Sequence, residues 1–191
     1  MVEWFDNTVL DWFLSIQAPV LTPVFRFFTL IGEGGAVWIA IGILMLARKS
    51  SRAAGMAVLL SLVFCLITGN AFLKNVVARP RPCWRHPEIE MLIRIPGDYS
   101  FPSGHTMSSF AAAAGVFLWD KRWGTAALAG AAVIAVSRMY FYVHYPTDIL
   151  AGLVIGLLLA LTAKWLIDKI MKYSSKKGRK PWRQRKGERA E

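Results

Sequence analysis

FPSGHTMSSFAAAAG, residues 101–115, sets a proline, a serine, a glycine and a histidine at the mouth of a run that is otherwise small and apolar. The run reads as an apolar helix. An imidazole at its edge is a functional-site signal, because a polar group is costly to bury without a partner and ionisable residues in membrane segments mark function. The rest of the chain has the same character. Of 191 residues, 55% are apolar, yet the formal net charge is +11. Apolar runs this long are foreign to a soluble domain of this size and predict a single all-α integral membrane domain.

A span needs about 20 mainly apolar residues. Five candidates meet that expectation, at 33–47, 53–73, 103–119, 123–141 and 148–167, the first borrowing apolar residues from 25–31 across the break at Gly32, Gly34 and Gly35. Ahead of them, Trp4, Phe5, Val9, Trp12, Phe13 and Ile16 recur at helical intervals around Asp6 and Asp11. That pattern predicts an amphipathic helix in the membrane interface, with a sixth span as the alternative. The domain organisation expected is a membrane domain over 1–171, its first 32 residues forming the interfacial region, followed by a basic tail over 172–191. The tail carries nine Lys or Arg against two Glu without apolar periodicity, and is read as a disordered cytoplasmic segment drawn to anionic lipid rather than to nucleic acid. No cleavable leader is read at the N-terminus. Cys65 and Cys83 make neither a disulfide framework nor a metal pattern.

With five spans, Arg48, Lys49, Arg52, Lys121, Arg122 and the tail share one side, which the positive-inside rule makes cytoplasmic. The loop 74–100 then faces outward, yet it holds Lys74, Arg79, Arg81, Arg85 and Arg94. Basic residues on that side call for an anionic ligand. Three clusters gather at that end of the helices: KNVVARPRP at 74–82, FPSGH at 101–105 and SRMYFYVHYPTD at 137–148. Pro102 followed by Ser103, Gly104 and His105 predicts a helix start whose free amides suit a phosphate. Lys74, Arg81 and Arg138 add charge, the arginines as forked donors to phosphoryl oxygens. His144 and Asp148, four apart at the start of a helix, can hydrogen-bond so that the carboxylate fixes the tautomer of a nucleophilic imidazole. His105, with no acidic neighbour in sequence, suits protonation of the leaving oxygen. The cations would carry the charge stabilisation that a metal supplies elsewhere, so no cofactor is expected.

The pattern K-x6-RP at 74–82, PSGH at 102–105 and SR-x5-H-x3-D at 137–148 resembles the type 2 phosphatidic acid phosphatase superfamily, the lipid phosphate phosphatases. The resemblance is strongest to its bacterial members that act on undecaprenyl pyrophosphate and on phosphatidylglycerophosphate. It implies that Lys74, Arg81, Ser103, Gly104 and Arg138 bind phosphate, that His105 is the general acid, and that His144, aided by Asp148, is the nucleophile. Implied with these are a cell-membrane phosphatase with an extracytoplasmic site, a phosphohistidine intermediate, and a lipid phosphate or pyrophosphate substrate, undecaprenyl pyrophosphate first and phosphatidylglycerophosphate or phosphatidate as alternatives. The repeated RPRP offers two registers; family spacing from Lys74 selects Arg81 and leaves Arg79 as a pocket-edge or loop residue. A lipid-binding or transport protein is the non-enzyme reading, and it gives an oriented His144 and Asp148 no work. Gly152 and Gly156 favour close helix packing without specifying an oligomer.

Overall fold

A computed structural model describes residues 1–178, which are helical apart from their turns and one long loop. The elements are α1 (Val2–Ser15), α2 (Leu21–Ile31), α3 (Ala36–Ala47), α4 (Arg52–Cys65), α5 (Lys74–Val77), α6 (Pro82–Arg85), α7 (Gly104–Trp119), α8 (Lys121–Tyr140) and α9 (Pro146–Gly178). A 3-10 turn, Glu33–Gly35, joins α2 to α3, and a π-helical stretch, Leu66–Leu73, joins α4 to α5. The tail residues 179–191 lie outside the described residues.

The central helix is α7, packed against α4, α8 and α9. Its alanine run makes this possible. Ala111, Ala112 and Ala113 are fully buried, and small side chains let neighbouring helix backbones approach closely. On α9, a Cβ at Gly156 would stand 2.4 Å from the Met107 carbonyl oxygen. The GxxxG pair thus packs within the chain, α9 against α7. Trp38, Val58, Ala112, Ala131 and Ile134 form the main core, with the Trp38 indole N–H donating to Ser109 Oγ at 2.8 Å. The other faces of the long helices stay apolar and uncovered, as Ile43, Leu44, Ile67, Leu158 and Leu161 show.

The expectation of five or six spans is not met. Among the described residues, two helices are long and apolar enough to cross a membrane, Arg52–Arg85 and Pro146–Ser174. A third counts only if Leu21–Ile31 and Glu33–Ala47, bent by 44° at their junction, act as one span. The bend is where Gly34 and Gly35 take positive φ of 57° and 73°, a backbone region glycine enters at little cost. The segment read as the third span falls short in length, since the 16 residues of α7 reach only about 24 Å at 1.5 Å each against a hydrocarbon core of about 30 Å. The segment read as the fourth falls short in apolarity: Lys121, Arg122, Gly124, Thr125, Ser137 and Arg138 dilute α8. Apolar runs in the sequence also serve to pack helix on helix, and a hydropathy count cannot separate the two uses.

The first helix turns one face inward. Asp6, Leu10 and Phe13 are buried, while Trp4, Phe5 and Trp12 stay exposed. Leu10 packs with Tyr142 and Tyr145, and Phe13 with Tyr140, Phe141 and Val143. These contacts clamp the segment between α8 and α9 that carries His144.

Candidate active site

Local backbone devices aim each side chain. The wider π-helical turns of Leu66–Leu73 advance less per residue than α-helical ones, and Lys74 follows them into the interior, 6% exposed. Ala78 at φ 47° then reverses the chain and leads to Arg79 and Arg81. On the other side, Tyr142 holds φ 55° just before His144. Non-glycine residues pay strain there, and surrounding packing must hold them, as the buried tyrosines do.

One cavity of about 540 Å³ brings together Lys74, Arg81, Gly104, His105, Arg138 and His144. Its other wall is apolar, formed by Ile39, Leu59, Leu62, Val63 and Leu66 of α3 and the α4 region. Arg138 is 4% exposed; its Nη1 donates to Thr29 Oγ1 and its Nε has no partner. Thr29 of α2 therefore seats Arg138. The His105 ring lines the same cavity with its Nε2 buried and unpartnered. The amides of Gly104 and His105 open α7, where no carbonyl lies a turn below to accept them.

His144 is 1% exposed. Its Nε2 stands 3.1 Å from Arg81 Nη1, and its Nδ1 is 3.5 Å from Asp148 Oδ2. An arginine can only donate, so Nε2 presents its lone pair toward the cavity and Nδ1–H faces the carboxylate. Burial, reinforced by the charges of Arg81, Arg138 and Lys74, pushes the imidazole pKa well below 6.5. His144 is neutral at pH 7. Asp148 is fully buried behind it; its Oδ1 accepts Arg79 Nη1 at 2.6 Å and its Oδ2 the Tyr145 amide at 3.0 Å.

The expected site residues separate into two groups. Lys74, Arg81, Gly104, His105, Arg138 and His144 share the cavity, with Asp148 directly behind. Ser103 does not line it. Its hydroxyl is buried as the N-cap of α7, accepting the Thr106 amide at 3.4 Å and Thr106 Oγ1 at 2.9 Å, and its amide donates to the Asp148 carbonyl at 3.2 Å. Pro102 accordingly precedes the cap instead of opening the helix. Arg79 is no loop bystander, since it joins Asp148 to Asp6 by two 2.6 Å contacts.

Reading the sequence missed Asp98, Thr29 and Asp6. Asp98 occupies the two cations nearest the cavity mouth: Lys74 Nζ bonds its carboxylate, Arg81 Nη2 donates to Oδ1 at 2.7 Å and Arg81 Nε to its carbonyl at 2.6 Å. Burial alone would raise its pKa, but the bond and charge of Lys74 and the charge of Arg81 hold it down to about 2. The only trace of Asp98 in sequence was its sign within a basic loop. Among the described residues no group of three or more His, Cys, Asp or Glu is arranged to hold a metal.

A buried cradle of three cations, two imidazoles and a helix N-terminus, in a cavity that apolar residues also line, has the charge and the donors to hold a phosphoryl group. The PAP2 superfamily pattern matches residues 54–172, more than half of the chain, and the chain belongs to that superfamily. An undecaprenyl-diphosphatase of Sulfolobus acidocaldarius is 32% identical over 121 residues, 63% of this chain and 58% of that protein. A decaprenylphosphoryl-5-phosphoribose phosphatase of Mycolicibacterium smegmatis is 35% identical over 122 residues, 63% of this chain and 65% of that protein. The match thus spans less than two thirds of either relative. Among solved structures, the transmembrane PAP2-type phosphatidylglycerolphosphate phosphatase from Bacillus subtilis is similar with a TM-score of 0.72 at 26% identity, over 88% of this chain and 87% of that one.

Proposed function

We propose that this protein is a metal-independent membrane lipid phosphatase that works through a phosphohistidine, with undecaprenyl pyrophosphate as its substrate and recycling of a cell-wall lipid carrier as its role. The observation that carries the reading is the meeting of a buried His144 with Lys74, Arg81 and Arg138 in one cavity that apolar residues of α3 and the α4 region also line. His144 Nε2 attacks phosphorus, and the bond from phosphorus to the leaving oxygen breaks. His105, which burial and the neighbouring cations keep neutral before substrate binds and which takes up a proton at Nε2 once the bound phosphate offsets those cations, delivers that proton to the oxygen. Water then attacks the phosphohistidine, His105 takes up its proton, and inorganic phosphate leaves. The three cations stabilise charge on the equatorial oxygens throughout. Substrate preference draws on the Sulfolobus relative, which is named for undecaprenyl diphosphate. The Bacillus structure is of an enzyme named for phosphatidylglycerolphosphate, which keeps that lipid as the second candidate.

Purified protein assayed for phosphate release from undecaprenyl pyrophosphate, phosphatidylglycerophosphate and phosphatidate decides among them. The first is expected to give the highest kcat/KM, unchanged by excess chelator. Hydrolysis that EDTA abolishes and Mg²⁺ restores would remove the metal-independent mechanism; a preference for either glycerolipid would replace the substrate.

We further propose that the site opens on the extracytoplasmic side of the cell membrane. Arg48, Lys49, Arg52, Lys121 and Arg122 lie in or beside the α3–α4 and α7–α8 connections. Those ends meet, since one cavity is lined by Ser50, Trp119 and Lys164. This basic end is opposite the site, and the positive-inside rule retains it in the cytoplasm whatever the number of spans. Single cysteines at Glu90 and Ser175 test the orientation in intact cells. An impermeant maleimide is expected to label the first and spare the second; the reverse pattern would place the substrate pool in the inner leaflet.

A further inference from the structure

Asp6 lies outside the family match and far from it in sequence, yet its carboxylate is wholly buried against the catalytic segment. It accepts Arg79 Nη2 at 2.6 Å, Thr147 Oγ1 at 2.7 Å and the Thr147 amide at 3.0 Å. Arg79 is thereby shared. Its Nη2 goes to Asp6, while its Nη1 goes to Asp148 Oδ1 at 2.6 Å and to Thr147 Oγ1 at 2.8 Å. Its guanidinium also stacks 3.9 Å over the Tyr145 ring.

We propose that Asp6 of the N-terminal helix is a positioning residue for the Asp148–His144 pair and acts through Arg79. The proposal rests on the reading of His144 as nucleophile. The reason is the geometry of the guanidinium fork, which tends to grip a single carboxylate with two parallel bonds. With Asp6 holding one prong, Arg79 reaches Asp148 with the other alone, and only Oδ1 is engaged. Oδ2 stays turned toward the Tyr145 amide and His144 Nδ1, at 3.0 Å and 3.5 Å. Without the Asp6 charge, both prongs are free to chelate Asp148. That rotation would draw Oδ2 from the imidazole and release the ring from its attacking orientation. The clamp formed by Leu10 and Phe13 around Tyr142, Tyr145 and Val143 fixes the same segment from the same helix. The N-terminal helix is in this sense part of the catalytic scaffold.

Asp6→Asn preserves shape and removes charge. It is expected to lower kcat about 10- to 100-fold with KM within about twofold, the size of loss seen when a supporting contact lets a reacting group drift. The deciding measurement is the same change made in an Asp148→Asn background, where it should cost less than about twofold further, because the route through Asp148 is already cut. Thermal unfolding of each variant accompanies the kinetics. Wild-type kcat for Asp6→Asn overturns the proposal, as does an equal, multiplicative loss in both backgrounds, which marks a general role in stability. Should Asp6→Asn fold poorly, Arg79→Lys serves in its place: one ammonium cannot hold two carboxylates in the fork geometry, and the same kcat loss is expected, absent in the Asp148→Asn background. The underlying reading fails separately, by phosphate label absent from the His144 peptide of the wild-type enzyme.

Discussion

Replacing His144 with alanine is expected to abolish turnover and phosphoenzyme together, a loss of about 10⁴-fold or more, as when a covalent nucleophile is removed. Of the two imidazoles that line the cavity, His144 is the one backed by a carboxylate, Asp148 Oδ2 at 3.5 Å from its Nδ1. Wild-type enzyme quenched from labelled substrate should carry phosphate on the His144 peptide. His105→Ala behaves differently, being slow with a lipid leaving group but recovering with an aryl phosphate whose oxygen needs little protonation. Asp148→Asn should keep the fold and lose about 10²- to 10⁴-fold in kcat by releasing the tautomer. Because burial and three nearby cations hold His144 well below 6.5, its protonation should not limit the rate at pH 6. Label on the His105 peptide would sink the assignment.

Removing Arg138 should cost about 3 kcal/mol or more of transition-state stabilisation, the scale of losing a preorganised oxyanion donor, or 10²- to 10³-fold in kcat/KM. The guanidinium is almost entirely buried, and Thr29 Oγ1 engages only Nη1. Its Nε is buried without a partner, a donor that a bound phosphate would satisfy. Arg138→Lys should not restore the rate, since a single ammonium on a flexible stem cannot match the fork. A kcat/KM for Arg138→Ala within tenfold of wild type would show that this cation does not face the reacting phosphorus.

The membrane reading shows how far composition reaches. Long apolar runs mark helices that avoid water, and the structure is all-α with at least two helices fit to span. Composition does not say which apolar surfaces meet lipid and which meet protein. The Ala111–Gly115 run was legible as a close-packing stretch, yet it was counted within a span; it is buried in the bundle, because small side chains let α4, α8 and α9 close around it. Counting runs gave too many spans for that reason. Positive-φ glycines at 34 and 35 were legible as a break, but not that the break would leave two bent halves.

Relations written along a single helix, or at its start, were open to the sequence. Asp148 lies one turn beyond His144, which places its carboxylate within reach of the imidazole; the PSGH segment announces a helix start; and the spacing of Lys74 to Arg81 follows from one continuous stretch of chain. Contacts between distant segments were not. Arg79 meets Asp6 across 73 residues and Asp148 across 69, Thr29 meets Arg138 across 109, and Asp98 takes both Lys74 and Arg81 from a loop without periodicity. By itself the sequence determined which reactive and charged residues the chain carries and which end of the helices bears them, since residue type and helical spacing are local properties. Only the tertiary structure decided which carboxylate meets which cation, because that depends on how helices approach, and a buried charge must find its partner wherever packing brings one.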